Sequence, residues 1–205
     1  MTKPILIRGA RQLLTLRGPT GPRRGIALRD LGIVQDGAVL IRDGVVVEAG
    51  SARRIENLAL ARNAVEIDGT GRVVMPGFVD SHTHLVSGPS RLLDFELRTA
   101  GMDPGQIADA GGGILASLPV IRETAGRTLE RRARQLLRMF ARHGTTTIEA
   151  KTGYGLDRTG ELKSLRVLAE VNGGPLDVIP TYFGAHAVPP PVDIQPGGGR
   201  CDNEP

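Results

Sequence analysis

The sequence predicts an α/β fold in which a small β-domain precedes a strand–helix repeat. Up to about residue 72 the chain carries short segments rich in β-branched residues, and from residue 73 strand-like and helix-like segments alternate. Such alternation is typical of parallel strands joined by right-handed crossovers. Histidines also follow two of the predicted strands, at the end where α/β folds collect their functional residues.

Residues 1–72 are predicted to form the small β-domain. The predicted strands are 5–7, 38–41, 45–47 and 64–67. Asp43-Gly44 favours a hairpin turn, because both residues tolerate positive φ angles. The stretch 17–24, with two Gly and two Pro, is predicted to be a loop.

Residues 73–190 are predicted to form the strand–helix repeat. The predicted strands are 73–78, 145–150 and 177–183, and the predicted helices are 114–124, 128–142 and 159–171. Two apolar stripes support the last two helices: Leu129, Ala133, Leu136, Leu137 and Phe140 in one, and Leu162, Leu165 and Leu168 in the other. Gly144 suits the C-terminal cap of the first of these helices. Residues 191–205 are predicted to be an irregular tail rich in Pro and Gly.

Composition and charge exclude several classes of protein. The single cysteine, Cys201, allows no internal disulfide, and without a signal peptide or a membrane-length apolar run we expect a cytoplasmic protein with no membrane partner. The net charge of +4 raises the possibility of a nucleic-acid partner. The densest basic stretch, 127–142, has the spacing of a solvated helix face and no interleaved aromatic residues, so we expect no nucleic-acid binding.

The most informative motif is Asp80-Ser81-His82-Thr83-His84, which follows an apolar run. Residues two apart at the end of a strand point to the same side, so the two imidazoles can converge on one metal ion. Imidazole suits zinc and iron, and a catalytic ion also keeps an open position for water. We therefore predict that His82 and His84 are metal ligands, although a single such histidine is more often a packing or surface residue.

Four segments together resemble the N-terminal half of imidazolonepropionases, metal-dependent amidohydrolases of histidine degradation. The segments are 76–86, 111–114, 144–156 and 184–190, with Lys-Thr-Gly-Tyr-Gly-Leu and Gly-Ala-His-Ala-Val-Pro-Pro as the most specific runs. The resemblance implies a (β/α)8 barrel beside a β-sandwich built from both chain ends. It also implies one bound Zn or Fe ion and hydrolysis of the cyclic amide of 4-imidazolone-5-propanoate to N-formimidoyl-L-glutamate.

The resemblance implies roles for five residues. His82 and His84 match metal ligands, while Arg91, Tyr154 and His186 match substrate-binding residues. A guanidinium fork pairs well with a carboxylate and a phenol can hydrogen-bond a ring amide, which suits this substrate. Arg91, Tyr154 and His186 each also have a plainer interpretation: a solvated loop arginine, a packing tyrosine at a turn and a structural histidine, respectively.

The chain departs from the family in extent. The family completes its metal site and proton shuttle with another histidine, an aspartate and a glutamate from later strands, and a closed barrel takes roughly 250 residues. No catalytic residue is therefore identified in this chain; Glu149 is a weak candidate, because the family does not use that position. We expect an interrupted frame near residue 190 or an incomplete product, with marginal stability and no activity alone.

Two alternatives to this interpretation remain open at this point. In the first, the chain is a different amidohydrolase, such as a deaminase of a purine-like ring. In the second, it is a non-catalytic fragment or an interaction module that uses the open edge of its sheet. As partners we expect a small-molecule substrate and either further copies of the chain or a complementing polypeptide.

Overall fold

The computed structural model describes residues 2–189, and the chain divides into two compact units between Pro76 and Gly77. The tail predicted at residues 191–205, together with Cys201, lies outside the described residues.

The N-terminal unit contains one five-stranded sheet. Its elements are β1 (Ile5–Leu14), β2 (Ile33–Arg42), β3 (Val45–Ser51), α1 (Ala52–Glu56), β4 (Val65–Asp68) and β5 (Val73–Val74), with 3-10 turns at Gly25–Arg29 and Ala59–Asn63. The strand order is β3-β2-β1-β4, and β5 also pairs with β1. The β1–β2 and β2–β3 pairs are antiparallel, whereas β4 and β5 run parallel to β1.

The hairpin predicted between β2 and β3 is confirmed. Asp43 and Gly44 both have positive φ, 50° and 79°, which matches the right-handed twist of the two strands. One face of the sheet packs against α1, and Leu6, Leu40 and Ile55 are buried there. Within the described residues this unit has a single sheet, covered on that face by α1 and the turn Ala59–Asn63.

The second unit contains three parallel strands and five helices within the described residues. The strands are β6 (Phe78–Thr83), β7 (Thr145–Lys151) and β8 (Asp177–Thr181), in the order β6-β7-β8. The helices are α2 (Leu92–Thr99), α3 (Pro104–Asp109), α4 (Leu118–Glu123), α5 (Gly126–Arg142) and α6 (Arg158–Val171), with a 3-10 turn at Leu115–Ser117. The predicted α/β class is confirmed.

The first parallel strand begins later than predicted. The apolar run 73–78 is split: Val73–Val74 pairs with β1 in the N-terminal sheet, and the first parallel strand begins at Phe78. Pro76 has no backbone N–H for a ladder. A Cβ at Gly77 would lie 2.1 Å from Cγ2 of Thr146, so the chain passes its neighbour too closely for any other residue. The strand ends at Thr83, and His84 follows it.

The core of this unit lies between the sheet and helices α5 and α6. The predicted stripe of α5 is correct: Leu129, Ala133 and Leu137 are buried, with Leu136 and Phe140 packed beside them, and Gly144 follows the helix at φ 86°. The stripe predicted for α6 is correct only in part, because Leu168 is buried whereas Leu162 is 40% exposed. The buried residues of α6 are Gly160, Glu161, Ser164, Val167, Leu168 and Val171.

Two further predictions differ from the structure, and two helices were not predicted. The helix expected at 114–124 is a 3-10 turn followed by α4, because Pro119 is accepted only in the first turn of an α-helix. The last strand ends at Thr181, since the Phe183 amide donates to Oγ1 of Thr152 instead of continuing the ladder. Helices α2 and α3 had no sequence prediction, although α3 begins with a capping box between Asp103 and Gln106.

None of the helices in the described part of the chain combines the length and the apolar character that a membrane crossing requires.

Candidate active site

Four of the five predicted site residues converge where the three parallel strands end. The ring centroids of His84 and Tyr154 are 4.5 Å apart, and those of His84 and His186 are 4.7 Å apart. The centroids of Tyr154 and His186 are 5.5 Å apart, and the three ring planes are within 16° of parallel. His82 lies edge-on to His84 at 5.8 Å. One ring cluster therefore collects side chains that follow three different strands.

His84 is partly buried, and its Nδ1 is enclosed without a hydrogen-bond partner. Burial lowers the pKa of His84 below its ordinary value, and the imidazoles of His186 and His82 lower it further. Hydrogen bonding to the backbone of Thr152 and the charge of Glu149 oppose this shift in pKa without reversing it. The lowered pKa favours the unprotonated imidazole, and Nδ1 has no partner; an unprotonated imidazole nitrogen is what binds a metal ion.

Glu149 and Lys151 lie beside this cluster on β7. The Lys151 Nζ is 2.6 Å from Oε1 of Glu149 and 5.6 Å from the centroid of the Phe183 ring. Burial raises the pKa of Glu149, but hydrogen bonds from Lys151 and Thr181 outweigh burial, so its pKa is lowered. The other oxygen of Glu149, Oε2, is buried without a hydrogen-bond partner.

Strand β6 is tied to β7 directly below the ring cluster. The hydroxyl of Thr83 donates to the carbonyl oxygen of Glu149 at 2.7 Å, and Thr83 is buried. Because Thr83 stands between the two histidines, this bond fixes the backbone from which both imidazoles project.

Tyr154 stands in a loop after β7 that is held by a buried carboxylate. Glu161, in the first turn of α6, is 2% exposed and accepts hydrogen bonds from the amides of Gly153, Gly155 and Leu156 at 2.8, 2.8 and 3.0 Å. Glu161 had no sequence prediction, since a Glu in the first turn of a helix is ordinarily explained by the helix dipole. The signal that could have identified Glu161 is a charged residue on the predicted apolar face of a helix that follows a Gly-rich loop.

His186 is placed by Gly153 and by the end of β8. Its Nδ1 lies 3.2 Å from the carbonyl oxygen of Gly153, and its amide donates to the carbonyl of Phe183. A Cβ at Gly153 would lie 2.7 Å from the His186 Cβ, and φ at Gly153 is +103°. Only glycine allows the tyrosine loop and the histidine loop to approach this closely.

Arg91 is not part of the ring cluster in the contacts that the structure describes. It precedes α2, and its Nε lies 3.4 Å from Oδ2 of Asp94. Asp94 is buried and also accepts from the amide of Gly113. The Arg91 guanidinium therefore belongs to a contact between α2 and the predicted Gly-rich segment 111–113.

The donor set near the sheet end supports part of a metal site. His82 and His84 are neighbouring imidazoles, which suit zinc and iron. Between residues 2 and 189, however, no group of three or more His, Cys, Asp or Glu side chains is arranged to hold an ion. The described residues therefore offer two imidazole donors, those of His82 and His84, and no further ligands that would complete the site.

The chain has many relatives among imidazolonepropionases. It is 44% identical over 200 residues to the Chloroflexus aggregans enzyme, covering 97% of this chain and 45% of the relative. It is 42% identical over 200 residues to the Parabacteroides distasonis enzyme, covering 97% and 47%. The chain is homologous to the N-terminal part of imidazolonepropionases.

The resemblance to imidazolonepropionases stated from the motifs is thus confirmed. The chain spans a little under half the length of the curated relatives that it matches. No family model matches the chain.

Solved structures give the fold. Guanine deaminase from Bradyrhizobium japonicum superposes with a TM-score of 0.57 at 19% identity, covering 87% of this chain and 35% of that chain. The E. coli guanine deaminase superposes with a TM-score of 0.55 at 17% identity, covering 86% and 35%. At these identities the likeness concerns the fold alone, and both neighbours are amidohydrolase barrel proteins.

Proposed function

We propose that this chain forms the N-terminal half of a hydrolase that opens the cyclic amide of 4-imidazolone-5-propanoate and yields N-formimidoyl-L-glutamate. In this proposal β6, β7 and β8 are three strands of a (β/α)8 barrel, and the N-terminal sheet is half of a composite sandwich. The convergence of His84, Tyr154 and His186 carries the proposal, because it joins the two motifs most specific to imidazolonepropionases in one cluster.

His82 and His84 would hold one Zn or Fe ion. The buried, unpartnered Nδ1 and the lowered pKa of His84 support this role, since a metal ligand must be unprotonated. When bound, an ion of this kind would lower the pKa of its water towards about 7 and so supply hydroxide at neutral pH. The remaining ligands would come from outside the described residues.

Tyr154 and His186 would orient the substrate ring. Their near-parallel planes form one wall beside His84, and a flat imidazolone ring matches such a wall in shape and polarity. The Tyr154 hydroxyl would donate to a ring acceptor. Positioning of this kind lowers the activation free energy of a reaction by several kcal/mol.

Arg91 would bind the propanoate carboxylate of the substrate. The guanidinium has five N–H donors, and the contact with Asp94 engages Nε. Asp94 then has a second role in this proposal, because its ion pair orients the fork that receives the carboxylate. The requirement for a propanoate tail separates this substrate from a purine.

The isolated chain would bind the substrate weakly and would not turn it over. The described residues offer two metal ligands, and three or four protein ligands are usual for a zinc site. A second polypeptide that supplies the rest of the barrel would restore activity.

A binding experiment tests the substrate assignment. The histidine Hε1 and tyrosine ring protons are followed by NMR while 4-imidazolone-5-propanoate is added, and the His84, His186 and Tyr154 signals are expected to shift. The chain has two tyrosines, so Tyr182→Phe, at an exposed position, is the matched control for Tyr154→Phe. Equal shifts with guanine, or shifts confined to Tyr182, would contradict the proposal.

A complementation experiment tests the activity. This chain is mixed with the C-terminal half of the Chloroflexus aggregans relative in the presence of Zn²⁺, and loss of the substrate absorbance is followed. We expect turnover in the mixture and none with either part alone. A mixture that associates, holds the metal and still leaves the substrate intact would instead favour a non-catalytic fragment.

A further inference from the structure

Glu161 binds three backbone amides of the loop that precedes its own helix, α6. Its Oε2 accepts from the Gly153 amide, while its Oε1 accepts from the amides of Gly155 and Leu156. The two oxygens therefore bind the chain on both sides of Tyr154. A buried carboxylate is tolerated only when hydrogen bonds replace the lost water, and three charge-assisted bonds supply that replacement.

The loop also lies directly on the first turn of α6. A Cβ at Gly155 would be 2.8 Å from the carbonyl carbon of Gly160, which leaves no room for a side chain. Asp157 caps the same turn by accepting from the Gly160 amide at 2.5 Å and pairs with Arg122 at 2.6 Å. The helix start is therefore a firm platform from which the Glu161 carboxylate reaches the loop.

We infer that Glu161 is a positioning residue that fixes Tyr154 in its ring contact with His84 and His186. This inference rests on the proposed function only for the role that it gives to the fixed tyrosine. The clamp itself, meaning the hydrogen bonds of the Glu161 carboxylate with the amides of Gly153, Gly155 and Leu156, does not depend on that function. Holding the amides that precede and follow Tyr154 defines the backbone direction of its side chain. The 4.5 Å approach of its ring to His84 depends on that direction.

The asymmetry of the clamp gives a sharp test. In Glu161→Gln the single amide oxygen can serve Gly155 and Leu156, but the NH₂ group then faces the Gly153 amide and cannot accept from it. Glu161→Ala removes all three bonds. Glu170→Gln, an exposed change on the same helix, is the matched control.

The readouts are amide hydrogen exchange and the NMR shifts of the Tyr154, His84 and His186 ring protons. For Glu161→Gln we expect exchange at Gly153 to rise about tenfold or more, with smaller changes at Gly155 and Leu156. All three ring signals should shift, whereas His143 and the Leu168 and Val171 amides should stay unchanged. Glu170→Gln should reproduce the parent chain.

A purely structural role would raise exchange uniformly through α6 and overturn the inference. Unchanged Tyr154, His84 and His186 signals in a folded Glu161→Gln chain would overturn it as well. If both Glu161 variants fail to fold, hydrogen exchange in the parent chain still tests the inference. The clamp requires slow exchange at the amides of Gly153, Gly155 and Leu156, and fast exchange there would overturn it. These readouts need no substrate, so a failure of the clamp is distinguishable from a failure to bind imidazolone propanoate.

Discussion

Gly153 and His186 lie so close together that a side chain at position 153 would collide with the histidine. A Cβ built at Gly153 would lie 2.7 Å from the His186 Cβ, and the Gly153 carbonyl is 3.2 Å from the His186 Nδ1. This contact joins the loop after β7 to the loop after β8. It brings Tyr154 and His186, 32 positions apart in the chain, to one ring cluster.

We expect Gly153→Ala to destabilise the chain and to break the ring cluster. A non-glycine residue at positive φ costs about 1–2 kcal/mol, and the clashes with the Phe183 carbonyl and His186 add about 1–3 kcal/mol. Urea unfolding measures the loss. Gly173→Ala is the matched control, because Gly173 has φ +81° with nothing within 4 Å of a Cβ. Equal losses for the two variants would show that the contact with His186 adds no strain.

The buried face of α5 should carry much of the stability of the second unit. Leu137 is fully buried, so Leu137→Ala should lower the free energy of unfolding by about 2–5 kcal/mol. Met139→Ala on the same helix should cost less than about 1 kcal/mol, because Met139 is 55% exposed. A small loss at Leu137 would mean that α5 is not firmly packed on the sheet in solution.

The hydrogen bond between Thr83 and Glu149 should stabilise the strand ends below the two histidines. Thr83→Val keeps the shape of the side chain and removes the 2.7 Å bond, so we expect a loss of about 1–2 kcal/mol in unfolding free energy. Thr146→Val removes a 3.4 Å bond to the Phe78 carbonyl at an exposed position and should cost less than about 0.5 kcal/mol. A larger loss of unfolding free energy for Thr146→Val than for Thr83→Val would contradict a stabilising role of the hydrogen bond between Thr83 and Glu149.

Metal binding should begin at the histidine pair. On titration with Co²⁺, the NMR signals of His82 and His84 should broaden first, His186 later and His143 last, because His143 lies at the end of α5. His84→Asn should weaken binding at least tenfold, whereas His143→Asn should leave it unchanged. Simultaneous broadening of all four histidines would indicate nonspecific binding and would argue against the assigned pair.

The resemblance to imidazolonepropionases, not local pattern, suggested Arg91, Tyr154 and His186 as site residues. Local pattern predicted the α/β class, the hairpin at Asp43-Gly44, helix α5 with its stripe, and the candidate pair His82 and His84. These features depend on side-chain periodicity and turn chemistry, which a chain carries in short stretches. The prediction failed where a distant contact overrides the local preference. Val73 and Val74 pair with β1 in the N-terminal sheet, so the first parallel strand begins at Phe78 instead of residue 73. Thr152 ends the last strand at Thr181.

The sequence alone determined which side chains follow strands and therefore which ones were candidate site residues. The tertiary structure determined which other side chains they contact. It stacked His84, Tyr154 and His186 against one another, brought the Gly113 amide to Asp94, and buried the Glu161 side chain. The physical reason is that ring stacking, burial and hydrogen bonding depend on distances between segments far apart in the chain, and packing alone determines those distances.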